Sequence, residues 1–448
     1  MGAVRQAAAW LFAASAVLGG ANRAAAQATP DGPPATPERW AVHVQATDIL
    51  QRYGAIHSPY AGANSLLPGA TTGNTFDATL YVGVRPWAGA EVWGNLEMYQ
   101  GYAPSNTLGV AGYVNGDGAK VGRAHAYGRI ARLFLRQTVD LGGGADDQAA
   151  DLNQLAAHRS RDRLVFTAGK LNVTDIFDAN RYAHDPRGDF LNWSNIATGS
   201  FDYAADAWGY TYGAAAEWYR GDWTWRAAVF DLSITPNNAI LTSDFHQFQL
   251  VGEAERRFSL AGRRGAVRLT GFLSRGRMGR YDDAVALAQR TGQPADTARV
   301  RRYASRPGGD MNVEQEVADG IGVFARAGLD DGRYESYEYT DIDRTLQLGV
   351  SISGQRWGRK DDTLGVAVVA NGLSNSGHHY LDAGGLGILV GDGRLPHPGT
   401  EEILEAYYSL AVIDGVHVSL DDQYVRHPAY NRDRGPVNVI GLRAHLER

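Results

Sequence analysis

The sequence contains no cysteine. That excludes disulfides, thiolate metal sites and cysteine nucleophiles together, an unsurprising absence in an exported chain of this length. It also lacks long apolar runs. Beyond the N-terminal residues no segment is apolar enough to be a transmembrane helix, and the mean hydropathy of -0.31 is that of a soluble protein. Basic blocks are missing as well. There are 3 lysines beside many arginines, a pattern of genome composition rather than function, and the formal net charge is only -6. Nucleic acid is therefore not an expected partner.

What is present points to β-structure. The chain carries 22 Tyr, 10 Trp and 55 Gly in 448 residues. Aromatic and glycine content without an apolar 20-mer fits a β-barrel, in which only alternate residues face lipid. It fits a large secreted β-protein equally well, and composition leaves both open. The N-terminus argues for export. Arg5 supplies a positive region, Ala7 to Leu18 a short apolar one, and Ala24-Ala25-Ala26 the small residues of a cleavage site. Residues 1–26 are accordingly expected to be a signal peptide and 27–39 a mobile Pro-rich linker, leaving 40–448 as the barrel domain.

Period-two alternation recurs along the rest of the chain. Ala78, Leu80, Val82 and Val84 alternate with Asp77, Thr79, Tyr81, Gly83 and Arg85. Ala90, Val92, Leu96 and Met98 alternate with Glu91, Trp93, Asn95, Glu97 and Tyr99. Ala131, Leu133 and Leu135 alternate with Arg132, Phe134 and Arg136. Read this way, strands fall near 40–50, 76–85, 89–99, 129–139, 163–171, 209–219, 223–232 and 246–256. They continue near 266–275, 320–329, 333–340, 345–353, 363–372, 401–411, 415–425 and 436–447, sixteen in all. Long connections alternate with short turns such as Pro86–Ala88 and Asp330–Gly332, which suits extracellular loops and periplasmic turns. Two connections break the rhythm, 140–162 by its length and 341–344 by its brevity. Packing Arg85, Glu91, Glu97, Arg132 and Arg136 inside a dry core would be costly. The apolar face is therefore assigned to lipid and the charged face to a water-filled lumen. Trp40, Trp87, Trp218 and Trp223, near strand ends, suit the interfacial girdles.

The sequence resembles the carbohydrate-selective porin family of the OprB type. The resemblance is densest in Gly169 to Trp208, through Phe177–Arg187, Phe190–Ser194 and Asp202–Asp206, with Gly209–Gly213 following. Ser58–Gly62, Asn64–Leu66, Ala131–Arg136 and Asn431–Pro436 are also similar, in order along the chain. It implies a sixteen-stranded antiparallel outer-membrane barrel whose inward-folded loops narrow a pore for small neutral carbohydrates. Segment 172–208 is the natural inward loop, bringing Asp185, Arg187, Asn192 and Trp193 to the pore, unless these residues only fold the loop against the wall. The chain departs from the family at its end, where Arg448 stands in place of the closing aromatic that the barrel assembly machinery reads. Efficient insertion is what that departure puts in question.

A sugar presents hydroxyls at its edge and C–H faces above and below, so a passage favouring it needs paired donors and acceptors plus aromatic surface. Arg85, Arg132 and Arg136 would donate, Glu91 and Glu97 accept, Asn95 do either, and Trp93 and Tyr99 supply rings, with Trp193 reaching them from the loop. Mixed charge would favour neutral solutes over ions of one sign. The plainer account of such residues is solvated lining.

Catalytic, metal and cofactor sites are not expected. His378 and His379 lack a ligand-spaced partner, Gly384–Gly387 follows no strand-to-helix pattern, and Gly-x-Ser-x-Gly is absent. The acidic pairs Asp146-Asp147, Asp282-Asp283 and Asp361-Asp362 suit solvated turns, or contacts to divalent cations or lipopolysaccharide. The leading reading is a passive sugar porin in outer-membrane lipid. A general porin, one for polyols or small ring acids, a barrel enzyme and a secreted soluble β-protein stand behind it. Monomer and trimer both remain open.

Overall fold

The computed structural model describes residues 37–118, 120–237 and 241–448. The expected signal peptide lies outside them. Sixteen strands close into one antiparallel barrel in which every strand pairs with its sequence neighbours and β1 pairs with β16. They are β1 (Trp40–Tyr53), β2 (Thr71–Val84), β3 (Ala90–Tyr102), β4 (Arg123–Gln148), β5 (Ala157–Leu171), β6 (Thr211–Arg220), β7 (Trp223–Asp231) and β8 (Phe248–Leu260). The second half comprises β9 (Arg263–Met278), β10 (Arg302–Ala318), β11 (Ile321–Asp330), β12 (Arg344–Ser353), β13 (Thr363–Gly372), β14 (Glu401–Ile413), β15 (Val416–Arg426) and β16 (Val437–Glu447). Arg448 extends the seam, exchanging backbone hydrogen bonds of 2.8 and 2.9 Å with Val44. Among the described residues no helix is long and apolar enough to cross a membrane. Closure answers the membrane's demand differently, since it leaves no strand edge unpaired in hydrocarbon.

Alternation sets the faces as expected. Leu80, Val82, Leu96, Leu133, Leu269, Leu348, Leu420 and Leu442 are exposed on the outside, whereas Asp77, Glu91, Glu97, Arg268 and Glu405 are buried inside. One assignment changes. A β-bulge opposite Asn95 and Leu96 shifts the β3–β4 register, so Ile130 faces outward and Ala131 turns in. The four girdle tryptophans are all exposed, and all sit at the short-turn end: Trp40 and Trp223 start strands there, Trp87 is in a turn, and Trp218 closes β6. At the loop end the exposed rings include Tyr102, Tyr212, Tyr303 and Tyr424, together with Phe245.

Strand count agrees with expectation, but one strand is misplaced. Residues 333–340 form no strand. The missing one is β10, which pairs with β9 over Arg302–Gln315 and with β11 over Gly308–Ala318. Its outward face carries Ser305, Pro307 and Gly309, which hide an apolar stripe and normally argue against a strand. The correction restores the rhythm. Asp330 closes β11 and Asp331 and Gly332 open an extracellular loop, 331–343, while the β10–β11 turn is only 319–320. The overlong 140–162 connection resolves because β4 and β5 extend far past their neighbours. Among the described residues three α-helices lie within loops: α1 (Trp193–Ile196), α2 (Tyr281–Thr291) and α3 (Asn375–Asp382).

Candidate functional site: a loop-lined cavity in the lumen

The loop between β5 and β6, residues 172–210, crosses the barrel interior and is fastened to the opposite wall by acidic side chains on that wall. The backbone N–H groups of Leu191 and Asn192 donate to Glu405 at 2.6 and 3.1 Å. Those of Asp178 and Arg181 donate to Glu253 and Glu314 at 2.9 and 2.7 Å. From the loop side, Asp178 accepts from Arg326 at 3.2 Å and Asp202 from Arg306 at 3.0 Å. Loop 103–122 is held alike, with Ala111 and Gly112 donating to Glu401 at 2.9 and 2.7 Å. The two loops join where Gly116 donates to Leu191 O at 2.7 Å and Trp193 to Tyr113 O at 3.0 Å. A buried carboxylate is tolerable when hydrogen-bonded donors surround it. These wall acids are thus staples for loops rather than solvated lining.

With the loops drawn to one wall, a cavity of about 170 Å³ is left against the β3–β4 side. Glu97 and Arg129 pair across it at 3.2 Å, and Tyr210 Oη donates to Glu97 at 2.8 Å. Arg132 holds Asp175 with two hydrogen bonds, 2.8 and 2.6 Å. Arg187, from the inward loop, meets Asp77 at 3.2 Å, Asp117 at 3.0 Å and Glu97 at 3.6 Å. Burial raises the Asp117 carboxyl above the usual range even though Arg187 opposes the shift. Asp185 goes the other way: burial would raise it, but the Arg187 guanidinium and backbone N–H together bring it below. Aromatic surface borders these charges. Trp193 stacks on Tyr113 with centroids 5.2 Å apart, and Tyr203 and Tyr339 lie 5.5 and 5.6 Å from it. The Trp193 indole Nε1 is buried without a hydrogen-bond partner. Arg129 lies 4.5 Å over the Trp208 ring and 4.9 Å over Tyr210, a cation–π sandwich.

Of the residues singled out in the sequence, Glu97, Arg132, Asp185, Arg187 and Trp193 line this cavity. Asn192 does not. Its side chain donates to Gly112 O at 2.6 Å and caps α1 by accepting from Ser194 N at 3.0 Å, so it positions Trp193. Asn95 faces inward, fully buried, with both amide atoms unpartnered. Arg85, Glu91, Trp93 and Arg136 cluster at the short-turn end instead. There Glu91 is 3.5 Å from both Arg85 and Arg136, and Trp93 donates to Glu91 at 3.1 Å. Sequence reasoning missed Asp77, Asp117, Arg129, Asp175 and the rings of Tyr113, Tyr203, Trp208, Tyr210 and Tyr339. Tyr203, Trp208 and Tyr210 were within reach, since they fall inside or beside the family-like strings around Asp202–Gly213. Tyr339 was hidden in the misplaced strand.

Comparison with known proteins settles which family this geometry serves. The family model described as carbohydrate-selective porin, OprB family, matches residues 63–447. The chain belongs to that family. It is therefore an outer-membrane porin for passive diffusion of carbohydrates, and its family and fold are those of a channel. Among solved structures, the high-pH structure of Pseudomonas putida OprB is similar with a TM-score of 0.68 at 16% identity, covering 92% of this chain and 94% of that one. The low-pH structure of the same protein gives 0.49 at 12% identity over 92% and 93%. The outer membrane channel DcaP of Acinetobacter baumannii gives 0.48 at 10% identity over 91% and 97%. No curated protein sequence matches significantly.

Proposed function

We propose that the porin selects small neutral sugars at the loop-lined cavity, without acting chemically on them. The observation that carries this reading is the juxtaposition of the Trp193–Tyr113–Tyr203–Tyr339 ring cluster with the Glu97, Arg129, Arg132, Asp175 and Arg187 charges around one 170 Å³ space. The rings offer a surface to the C–H faces of a pyranose. The paired charges offer donors and acceptors to its hydroxyls. Each cation is already matched by carboxylates, so the cavity exerts little net field on an ion and a neutral polyhydroxyl solute loses least by entering.

The test is swelling of liposomes containing the purified barrel, with graded neutral sugars beside size-matched amino acids. Faster swelling with sugars is expected. Equal rates would make the porin a general sieve, and no swelling from a folded barrel would end the reading altogether.

A further inference from the structure

Strands β4 and β5 outrun their neighbours. β3 accompanies β4 only as far as Gln137, and β6 accompanies β5 only as far as Arg163. The two strands nevertheless stay paired to Gln148 and Ala157. The excess is a two-stranded ribbon projecting from the short-turn rim with no strand on either side. At its base Gly142, Gly143 and Gly144 have φ of 98°, 80° and 85°, and the register shifts twice between Asp140 and Ala145. Three successive residues in that conformation are accessible without strain only to glycine.

The far end of this ribbon returns to the barrel. Leu155 is fully buried against Ala41, Tyr81, Trp93 and Phe134, with Leu152 packed beside them. Its backbone N–H donates to Glu91 at 3.4 Å, and Arg136 donates to Asn153 O at 2.9 Å. Glu38 N donates to Ala156 O at 3.0 Å, and Ala156 N donates to the Glu38 carboxylate at 2.9 Å. Arg159, on the ribbon itself, forms an ion pair with Glu91. Tyr81, Glu91 and Trp93 face the lumen and would be wet in an open pore, yet all are buried beneath this segment.

We propose that residues 142–162 form a hinged flap, a second restriction at the periplasmic exit in series with the cavity. Gly142–Gly144 is its hinge and Glu91 its latch. The flap is held by few apolar contacts, those of Leu152 and Leu155, together with hydrogen bonds and ion pairs that water can replace. Its outgoing strand, 142–147, is exposed, and of the returning strand Ala157 is buried while Arg159, Ser160 and Asp162 are half-buried, so little of the ribbon packs on the barrel, which places it at the low-stability end of the molecule. The proposal concerns exit from the lumen and does not depend on which solute the cavity prefers.

The experiment compares single-channel conductance in planar bilayers for the full chain and for a variant in which an Asn-Gly turn joins Leu141 directly to Asp162. Removing the flap is expected to raise conductance severalfold while the ratio of sugar to amino-acid swelling stays unchanged. Point variants keep the idea testable should the shortened barrel fail to fold. Glu91→Gln with Leu155→Ser should make a larger conductance level more frequent. Because the chain has no cysteine, a lone Leu155→Cys can be probed with an impermeant thiol reagent added on the periplasmic side. Slow but complete modification reports opening. A thiol that never reacts, or unchanged conductance after flap removal or unlatching in a folded barrel, would make the ribbon a fixed brace and overturn the proposal.

Discussion

Glu91 and Glu97 stand on the same face of β3, both buried and both surrounded by arginines, yet Glu91 lies at the short-turn end and Glu97 midway along the strand, in different company. Glu97 meets Arg129 from the neighbouring strand and Arg187 from a loop that entered from outside, and the three border a cavity. Glu91 meets Arg85, Arg136 and Arg159, and the segment above it comes from the periplasmic ribbon and fills the space with Leu155. The difference teaches that the chemistry of a lumen-facing position is decided less by the strand than by what folds over it. A glutamate under an inward loop becomes part of a polar wall open to solute. A glutamate under a packed leucine becomes a structural tie.

The largest effect should come from undoing what holds the outer end together. Arg306 reaches Asp202 at 3.0 Å, Asp330 at 2.6 Å and Asp343 at 3.4 Å, all buried. Arg306→Leu strands these carboxylates without their cation, a loss of about 3–5 kcal/mol by comparison with other broken buried pairs. The inward loop should then detach near Asp202 and Tyr203. Higher conductance with no preference for sugars, and proteolytic cleavage within 172–210, would mark this outcome. An unchanged channel would show that the staples on Glu405, Glu314 and Glu253 suffice alone.

The next effect is smaller and more specific. Trp193→Ala removes the central ring of the cluster, and aromatic contacts of this kind contribute about 0.5–1.5 kcal/mol beyond burial. Sugar swelling should fall severalfold toward the amino-acid rate while the amino-acid rate itself holds or rises. A parallel decline of both would assign Trp193 to packing. Glu97→Gln and Glu91→Gln then sharpen the comparison directly. Substitution at Glu97 leaves Arg129 and Arg187 short of one carboxylate and should shift ion selectivity toward anions and lower sugar preference modestly. Substitution at Glu91 should leave the sugar preference where it was. Identical preference in the two variants would erase the distinction between the two positions.

Much of this was legible in sequence, for a physical reason. A barrel wall exposes one face to lipid, so Leu80, Val82, Leu133 and Leu269 must alternate with polar partners, and counting those alternations finds fifteen of the strands where they stand. β10 escaped because Pro307 and Gly309 occupy outward positions where apolar side chains would have announced it. The site was only half legible. Periodicity turns Trp93 inward and the family resemblance brings Trp193 to the pore, but neither says that Leu155 would cover one and a cavity border the other. That depends on loops and on a ribbon bent at Gly142–Gly144, and these folds are set by long-range contacts such as Asp178 to Arg326 and Leu155 to Glu91. Alternation carries no trace of them.

The smallest effect tests the extracellular end by pH. Asp341, in loop 331–343, is pushed up to about 6 by burial, against the opposing backbone N–H groups of Leu389 and Ile388, which donate to it at 2.9 and 3.1 Å. Its folded form thus holds a proton that the detached loop gives up at the ordinary aspartate value. Between roughly pH 4 and 6 the docked loop binds more protons than the undocked one, so its stability falls as pH rises through that window. The contribution is fully present below the window and lost above it. Amide exchange at Ile388 and Leu389, corrected for the intrinsic pH dependence, should therefore quicken as the pH is raised through 6. Asp341→Asn cannot titrate and should flatten the profile, and Glu91→Gln at the other end of the lumen should leave it unaltered. A flat profile in the unmodified protein would mean that the two N–H donors stabilise the carboxylate enough to cancel its burial.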